Sequence, residues 1–293
     1  RGKFERPGSS WRGPRTLQRL VDRCYAVGLD ITAFTNFGDR RYEQLRETAS
    51  QLPRDYLFGD LTEGGQSVVM KIQKEEQKPV YVVRGQQVLT AKQGLLPTLG
   101  APRPLRDERT LEDSIQEAKD AGALILAANP HSRQGENEGV IPGIGEYTRP
   151  VAEDTLVRLF DQYAGSFDAV EIFSASSWPT KLSDLLHLKR FNEKAKRYAE
   201  KYHLPGIAVS EAHAPHHMGL AYITFTAPLA TENARAFVDS LRQRLSEKAF
   251  TLKTGAVSSL GMARCLTADL WNHARLQITQ RFPKLDLLHI RRE

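Results

Sequence analysis

Cysteine is scarce. Two residues, Cys24 and Cys265, cannot build a disulfide framework. Both fall in half-apolar, helix-like contexts, so buried free thiols in a reducing compartment are expected. No apolar run approaches the ~20 residues of a membrane-spanning helix, and a membrane partner is not expected. The N-terminal residues are basic and contain Pro and Gly without an apolar core, so no secretory signal is read and a cytoplasmic location is expected. No Gly-x-Gly-x-x-Gly follows the first strand pattern, which argues against a dinucleotide-binding sheet. The glycines between Gly135 and Gly145 lack the spacing of a phosphate cradle and read as a plain loop. Neither an internal repeat nor a low-complexity tract is present, and no Ser/His/Asp or Cys/His nucleophile set stands out.

The chain has 293 residues, 40% hydrophobic and 26% charged, enough to bury a full core as one large α/β barrel or two modest domains. The net charge is +6. Seven basic residues (Arg1, Lys3, Arg6, Arg12, Arg15, Arg19 and Arg23) crowd the N-terminal stretch against Glu5 and Asp22. This cluster is either a solvated face or a contact for phosphate or nucleic acid.

Periodicity divides most of the chain into alternating helices and strands. Helices are predicted over Thr16–Gly28, Tyr42–Leu52, from Thr110 with a capping-box-like start, over Asp154–Tyr163, Leu182–Tyr202 and Thr231–Ser246, and from about Met262 to Arg281. Strands are predicted over Leu29–Thr35, Ser67–Ile72, Val80–Val83, Ala123–Ala128, Ala169–Phe173, Ile207–Val209 and Tyr222–Phe225. Gln93–Arg109 reads as a long surface loop. The alternation predicts a mainly parallel α/β architecture. Polar residues recur just past strands, at Asn36, Gln87, Asn129 and Glu211/His213. In a closed barrel these would meet at one rim.

The densest chemistry runs from Gly206 to Tyr222. A short apolar strand ends in Ser210-Glu211-Ala212-His213, with His216 and His217 close behind. One carboxylate and three imidazoles within seven positions are the ingredients of a metal site. Glu211, His213 and His216 are the candidate ligands for at most one divalent ion, Zn, Mn or Mg. The alternative is a hydrogen-bonded Glu-His pair with His216 and His217 in solvent. His131 and Arg133 follow a strand and suit an anion or phosphate. Glu171 lies in an apolar strand and needs a partner there, Arg84 or a nearby His. A general-base role for it is the competing reading.

The order of these motifs resembles the PHP family, named for polymerase and histidinol phosphatase, over roughly residues 3 to 250. Thr35-Asn36-Phe37 sits where the family has Thr-Asp-His, Gly85-Gln86-Gln87 where it has Gly-x-Glu, and Ala128-Asn129-Pro130 where it has Ala-His-Pro. Val170-Glu171-Ile172 matches the family's Val-Glu-Ile strand. Ser210-Glu211-Ala212-His213 sits where it has Ser-Asp-Ala-His, and Met218-Gly219 matches the apolar-Gly that follows.

The resemblance implies a distorted (β/α)7 TIM-like barrel over residues 1–253, and the helix predicted in the tail makes 254–293 a helical extension packed on it. It also implies a multinuclear metal site for phosphate-ester hydrolysis. The ligand positions depart from the family systematically. The first motif, His-x-His before a Ser, falls on Lys3 and Glu5 or on Phe4 and Arg6. Asn36, Phe37, Gln87 and Asn129 then replace metal-binding side chains, and His213 alone is unchanged. A cluster carrying roughly +4 to +6 of charge needs anions and neutral imidazoles around it. Amides are poor transition-metal ligands, and Phe37 is none. The expectation is therefore a pocket of Asn36, Gln87, Asn129, His131, Arg133 and Glu171 in a barrel that binds rather than hydrolyses. The alternatives are a single-metal phosphoesterase using His131 and Arg133, and a nucleic-acid-associated subunit suggested by the pI near 9.3.

Overall fold

The computed structural model describes residues 14–37, 40–91, 94–127, 158, 160–175, 189–210, 212 and 217–255. The first helix, α1 (Pro14–Val27), buries Leu17, Leu20, Val21 and Cys24 on one stripe. Gly28 (φ +71°) ends it, and Leu29 N–H reaches back to Cys24 C=O at 2.9 Å, closing the last turn. β1 (Ile31–Phe37) and α2 (Arg40–Thr48) follow, then a short 3-10 turn over Ala49–Gln51.

Next come four strands in succession: β2 (Tyr56–Glu63), β3 (Gln66–Lys74), β4 (Val80–Leu89) and β5 (Leu95–Leu99). α3 (Leu111–Asp120) is capped by Thr110, whose side chain accepts from Asp113 N–H at 3.1 Å. β6 (Leu124–Ala127), β7 (Ala169–Ser174), α4 (Lys189–Lys201), β8 (Gly206–Val209), β9 (Tyr222–Phe225), α5 (Ala234–Ser246) and β10 (Phe250–Lys253) complete the described elements.

The central sheet has eight strands in the order β2-β3-β4-β5-β6-β7-β8, with β1 added in parallel to the other edge of β4. The predicted mainly parallel sheet is thus replaced by a mixed one. β2, β3, β4 and β5 pair antiparallel, and so do β5 and β6, whereas β6, β7 and β8 pair in parallel. The physical reason is connection length. Two glycines join β2 to β3, both with positive φ, and five residues join β3 to β4 and β4 to β5. Such links make hairpins; a parallel crossover needs about a dozen residues.

Several boundaries also move. The segment read as a loop over Gln93–Arg109 contains β5, and β2 and β10 were not predicted. β4 runs to Leu89 rather than Val83, because it has partners along both edges: β1 on one, β3 and then β5 on the other. Asn36 and Phe37, expected in a loop, lie inside β1 for the same reason.

Two sides of the sheet are packed. On one, α1 and α2 cover Met70, Ile72, Val80 and Val82, and α3 and α4 cover Val88, Leu96, Ile125 and Val170. On the other, Val83, Leu124, Leu126, Ala169 and Ile207 form one cluster with Ile31, Tyr81 and Val209. This inner cluster unites β1 and β8 with the middle of the sheet, so the sheet curves strongly.

α5 supplies the rest of the inner cluster through Phe237, Val238, Leu241 and Leu245. Five contacts place α5 across one edge. Phe237 meets Tyr81 with ring centroids 5.3 Å apart, and Val238 lies against Gly100, where an added Cβ would approach it to 2.6 Å. Arg242 donates to the carbonyls of Gly122 and Ala123 at 3.0 and 2.9 Å and to Asp168 at 3.0 Å. Tyr81, Ala123 and Asp168 all stand at strand starts, so α5 closes the N-terminal edge of the parallel strands.

The connection after β8 returns to α1. Met218 is buried in the α1 cluster, its carbonyl accepts from Arg23 at 3.2 Å, and Gly219 (φ +76°) sits against Val27. A side chain at Gly219 would meet Val27 at 2.7 Å. The close approach and the backbone conformation both call for glycine there. No helix among the described residues is long and apolar enough to cross a membrane.

Candidate functional site at the C-terminal strand ends

β5 runs against both β4 and β6, so β4 and β6 point the same way; β1 follows β4, and β7 and β8 follow β6. The C-terminal ends of β1, β4, β6, β7 and β8 therefore share one edge of the sheet. α5 occupies the opposite edge, which leaves this rim for function.

At the rim, β1 and β4 stand in register: Asn36 opposite Gln86 and Phe37 opposite Gln87. Gln87 alternates with Gly85 and Val83 and so shares the inner face, half-buried. Gln86 points the other way. Its amide donates to Leu105 C=O at 2.8 Å and its oxygen accepts from Leu105 N–H at 2.9 Å, which ties the segment after β5 to β4.

Glu171 lies two residues past Ala169 on β7, opposite Ile207 of β8, and shares their inner face. It is 7% exposed. The expected pairing with Arg84 is corrected. Arg84 sits on the outer face, where it pairs with Glu43, donates to Ser67 C=O and rests its guanidinium 4.8 Å from the Tyr42 ring centre. Beyond Glu171, the wholly buried Ser174 ends β7, and its N–H donates to Asn192 of α4 at 3.2 Å. Ser210, just past β8, donates to Ala221 C=O at 2.8 Å and pins the strand end to the start of β9.

Asn129, His131, Arg133, Glu211, His213 and His216 lie outside the described residues. So do the N-terminal motif, residues 1–13, and the tail after residue 255 with its expected helix and Cys265. The structure therefore brings Asn36, Phe37, Gln87 and Glu171 to one edge and is silent on the other predicted pocket residues. His217, which the alternative to a metal site puts in solvent, is instead 3% exposed between β8 and β9. Its neighbours Met218 and Gly219, anchored on α1, draw it inward. Nothing in its local sequence distinguishes it from His216. Among the described residues no group of three or more His, Cys, Asp or Glu is placed to hold a metal.

Residues 189–245, from α4 through α5, match the PHP-associated family model. Over that segment the chain is similar to the PHP-associated family. Among solved structures, the chain is similar to PsfC from Pseudomonas syringae PB-5123, at 13% identity over 90% of this chain and 91% of that one, with a TM-score of 0.47. It is also similar to the lesion-specific endonuclease PfuEndoQ from Pyrococcus furiosus, at 11% identity over 84% of this chain and 54% of that one, with a TM-score of 0.46. A third similar structure is endonuclease Q in complex with a 27-mer duplex bearing an abasic lesion, at 11% identity over 84% and 55% of the two chains and a TM-score of 0.44. The chain spans about half the length of the two endonuclease chains. No curated protein sequence matches it.

Proposed function

We propose that this chain is a PHP-family barrel over residues 1–253, carrying a C-terminal helical extension, whose rim binds a phosphate-containing ligand without multinuclear metal hydrolysis. One observation carries the reading: Phe37 and Gln87 stand directly opposite each other in the β1–β4 register. In the family resemblance these are a His and a Glu ligand. A hydrocarbon ring and a neutral amide at adjacent strand ends cannot balance the charge of bridged divalent ions. This corner of the rim does not fit a metal cluster, and without one no hydroxide is generated near neutral pH.

The chemistry left is recognition. Gln87 offers a donor and an acceptor, Glu171 supplies a carboxylate on the same face, and His131 and Arg133, which follow β6 in sequence, have the chemistry to bind a phosphate. The curved sheet, with β1 and β8 in one inner cluster and α5 across its N-terminal edge, supports the barrel. Metal analysis of the purified chain tests the proposal. We expect fewer than two tightly held ions per chain and no turnover of an aryl phosphate ester. Two or more retained Zn, Mn or Fe ions would sink it.

A second reading rests on Glu171, a buried carboxylate on the inner face near the rim. With Glu211, His213 and His216 it belongs to a single-ion phosphoesterase in which His131 and Arg133 hold the phosphate. Metal-dependent turnover abolished by His213→Ala favours this reading, and turnover that survives the substitution removes it.

A further inference from the structure

β4 has an unusual arrangement of neighbours. Along one edge it pairs with β1 from Tyr81 to Gln87. Along the other it pairs with β3 up to Val83 and with β5 from Gly85 onward. Arg84 is the residue at this changeover, the fork of β4, and its guanidinium reaches Ser67 on β3 and Tyr42 and Glu43 on α2. Nε and Nη2 donate to Ser67 C=O at 3.0 and 2.9 Å, and Nη2 also pairs with Glu43. The remaining nitrogen, Nη1, is buried and has no hydrogen-bond acceptor among the described residues. The side chain as a whole is 4% exposed, so water does not solvate that nitrogen in bulk.

Arg84 is also a wall of a cavity on the β5 side of the fork, lined with it by Gly85, Gln86, Thr98, Ala101 and Arg103 and holding about 220 Å3 of open space, mouth included. Its enclosed part has room for about one water-sized group. The other polar walls are already committed: Gln86 to the backbone of Leu105, and Thr98 Oγ1 to Gln86 C=O at 3.3 Å. Arg103 is exposed at the mouth and has no ion pair with a described residue. The uncommitted donors of the cavity are thus those of two arginines.

A buried N–H without an acceptor is destabilising, and an incoming oxygen relieves it. Glu43 offsets the charge of Arg84, so the charge of Arg103 is left over and selects an anion. We propose that the fork of β4 is an oxyanion site, in which one oxygen of a small phosphate or carboxylate accepts from Arg84 Nη1 and Arg103 holds the remainder at the mouth. It is separate from the rim: Arg84 and Gln86 alternate with Gln87 along β4 and face the outer side. The inference does not depend on the reading of the rim given above.

The test is binding to the full chain, followed by the Nε–H resonances of arginine in 15N-labelled protein. Inorganic phosphate and acetate are titrated separately at constant ionic strength, in wild type, Arg103→Gln and Arg133→Gln. Arg84→Lys identifies the buried resonance. If it fails to fold, selective exchange protection of one arginine Nε–H identifies it instead. The expected result is a saturable shift of the Arg84 signal, weakened about tenfold or more by Arg103→Gln and unaffected by Arg133→Gln. A response to phosphate alone marks a phosphate site, and one to both anions marks a general oxyanion site. The proposal is overturned if neither anion moves the Arg84 signal, which leaves a water in the cavity, if Arg103→Gln binds like wild type, or if Arg133→Gln alone abolishes binding. That last result leaves the rim reading standing without this one.

Discussion

Truncating Phe237 to alanine tests whether α5 closes the inner core. The ring is wholly buried, meets Tyr81 at 5.3 Å and sits among side chains from several strands. Phe→Ala in a core costs about 3–5 kcal/mol through lost transfer energy and the cavity left behind. For a chain of this size each kcal/mol moves Tm by about 2–4 °C, so a drop on the order of 10 °C is expected. Urea denaturation followed by far-UV circular dichroism is the assay: the midpoint should fall and the slope stay the same. Phe237→Leu, which keeps most of the volume, should lose less than about 1.5 kcal/mol. A Phe237→Ala loss below about 1 kcal/mol would refute the placement of α5 on the inner cluster and, with it, the argument that the opposite edge is the free one.

Other outcomes are equally specific. Thr110→Ala removes the acceptor for Asp113 N–H at the start of α3 and should cost about 1 kcal/mol in the same assay, with Thr110→Ser near neutral. Gly206→Ala puts a Cβ 2.6 Å from Ile172 and should destabilise by about 1–3 kcal/mol from overpacking between β7 and β8. Burial pushes the Cys24 thiol up to about 12 from 9.0, and the Tyr42 hydroxyl is raised by burial as well. Both groups keep their protons in the folded state after the unfolded chain has lost them. Stability is therefore full below pH 9 and falls as pH climbs from there toward 12, and Cys24 should resist iodoacetamide at pH 8 until the chain is unfolded. A rise in stability between pH 9 and 11 would contradict this.

Much of the fold was legible because its signals are local. The stripe Leu17-Leu20-Val21-Cys24, the Thr110 cap, and the apolar runs of β6, β7 and β8 each announce an element within a few residues. β2 was missed because Tyr56–Glu63 has both glycine and acidic residues and exposes Leu57 and Phe58. Its strand state comes from pairing with β3, not from its own pattern. β5 was hidden by a proline and flanking glycines that read as a loop, yet Pro97 sits within the pairing with β4. His217 illustrates the same limit at the site. Its burial follows from the anchoring of Met218 and Gly219 on α1, a contact about 190 residues away in sequence.

By itself the sequence determined which side chains are available: amides and a phenyl ring at Asn36, Phe37, Gln87 and Asn129, a carboxylate at Glu171, and the order of motifs that resembles the PHP family. Residue identity fixes donor chemistry without any coordinates. The tertiary structure alone decided how Asn36, Phe37, Gln87 and Glu171 come to one edge. Antiparallel β5 returns β6 to the direction of β4, placing five strand ends on one edge, and α5 fills the other. The fork in β4, with Arg84 buried in it, exists only because two strands share one edge of a third. Such a junction is a property of long-range pairing, which no local pattern encodes.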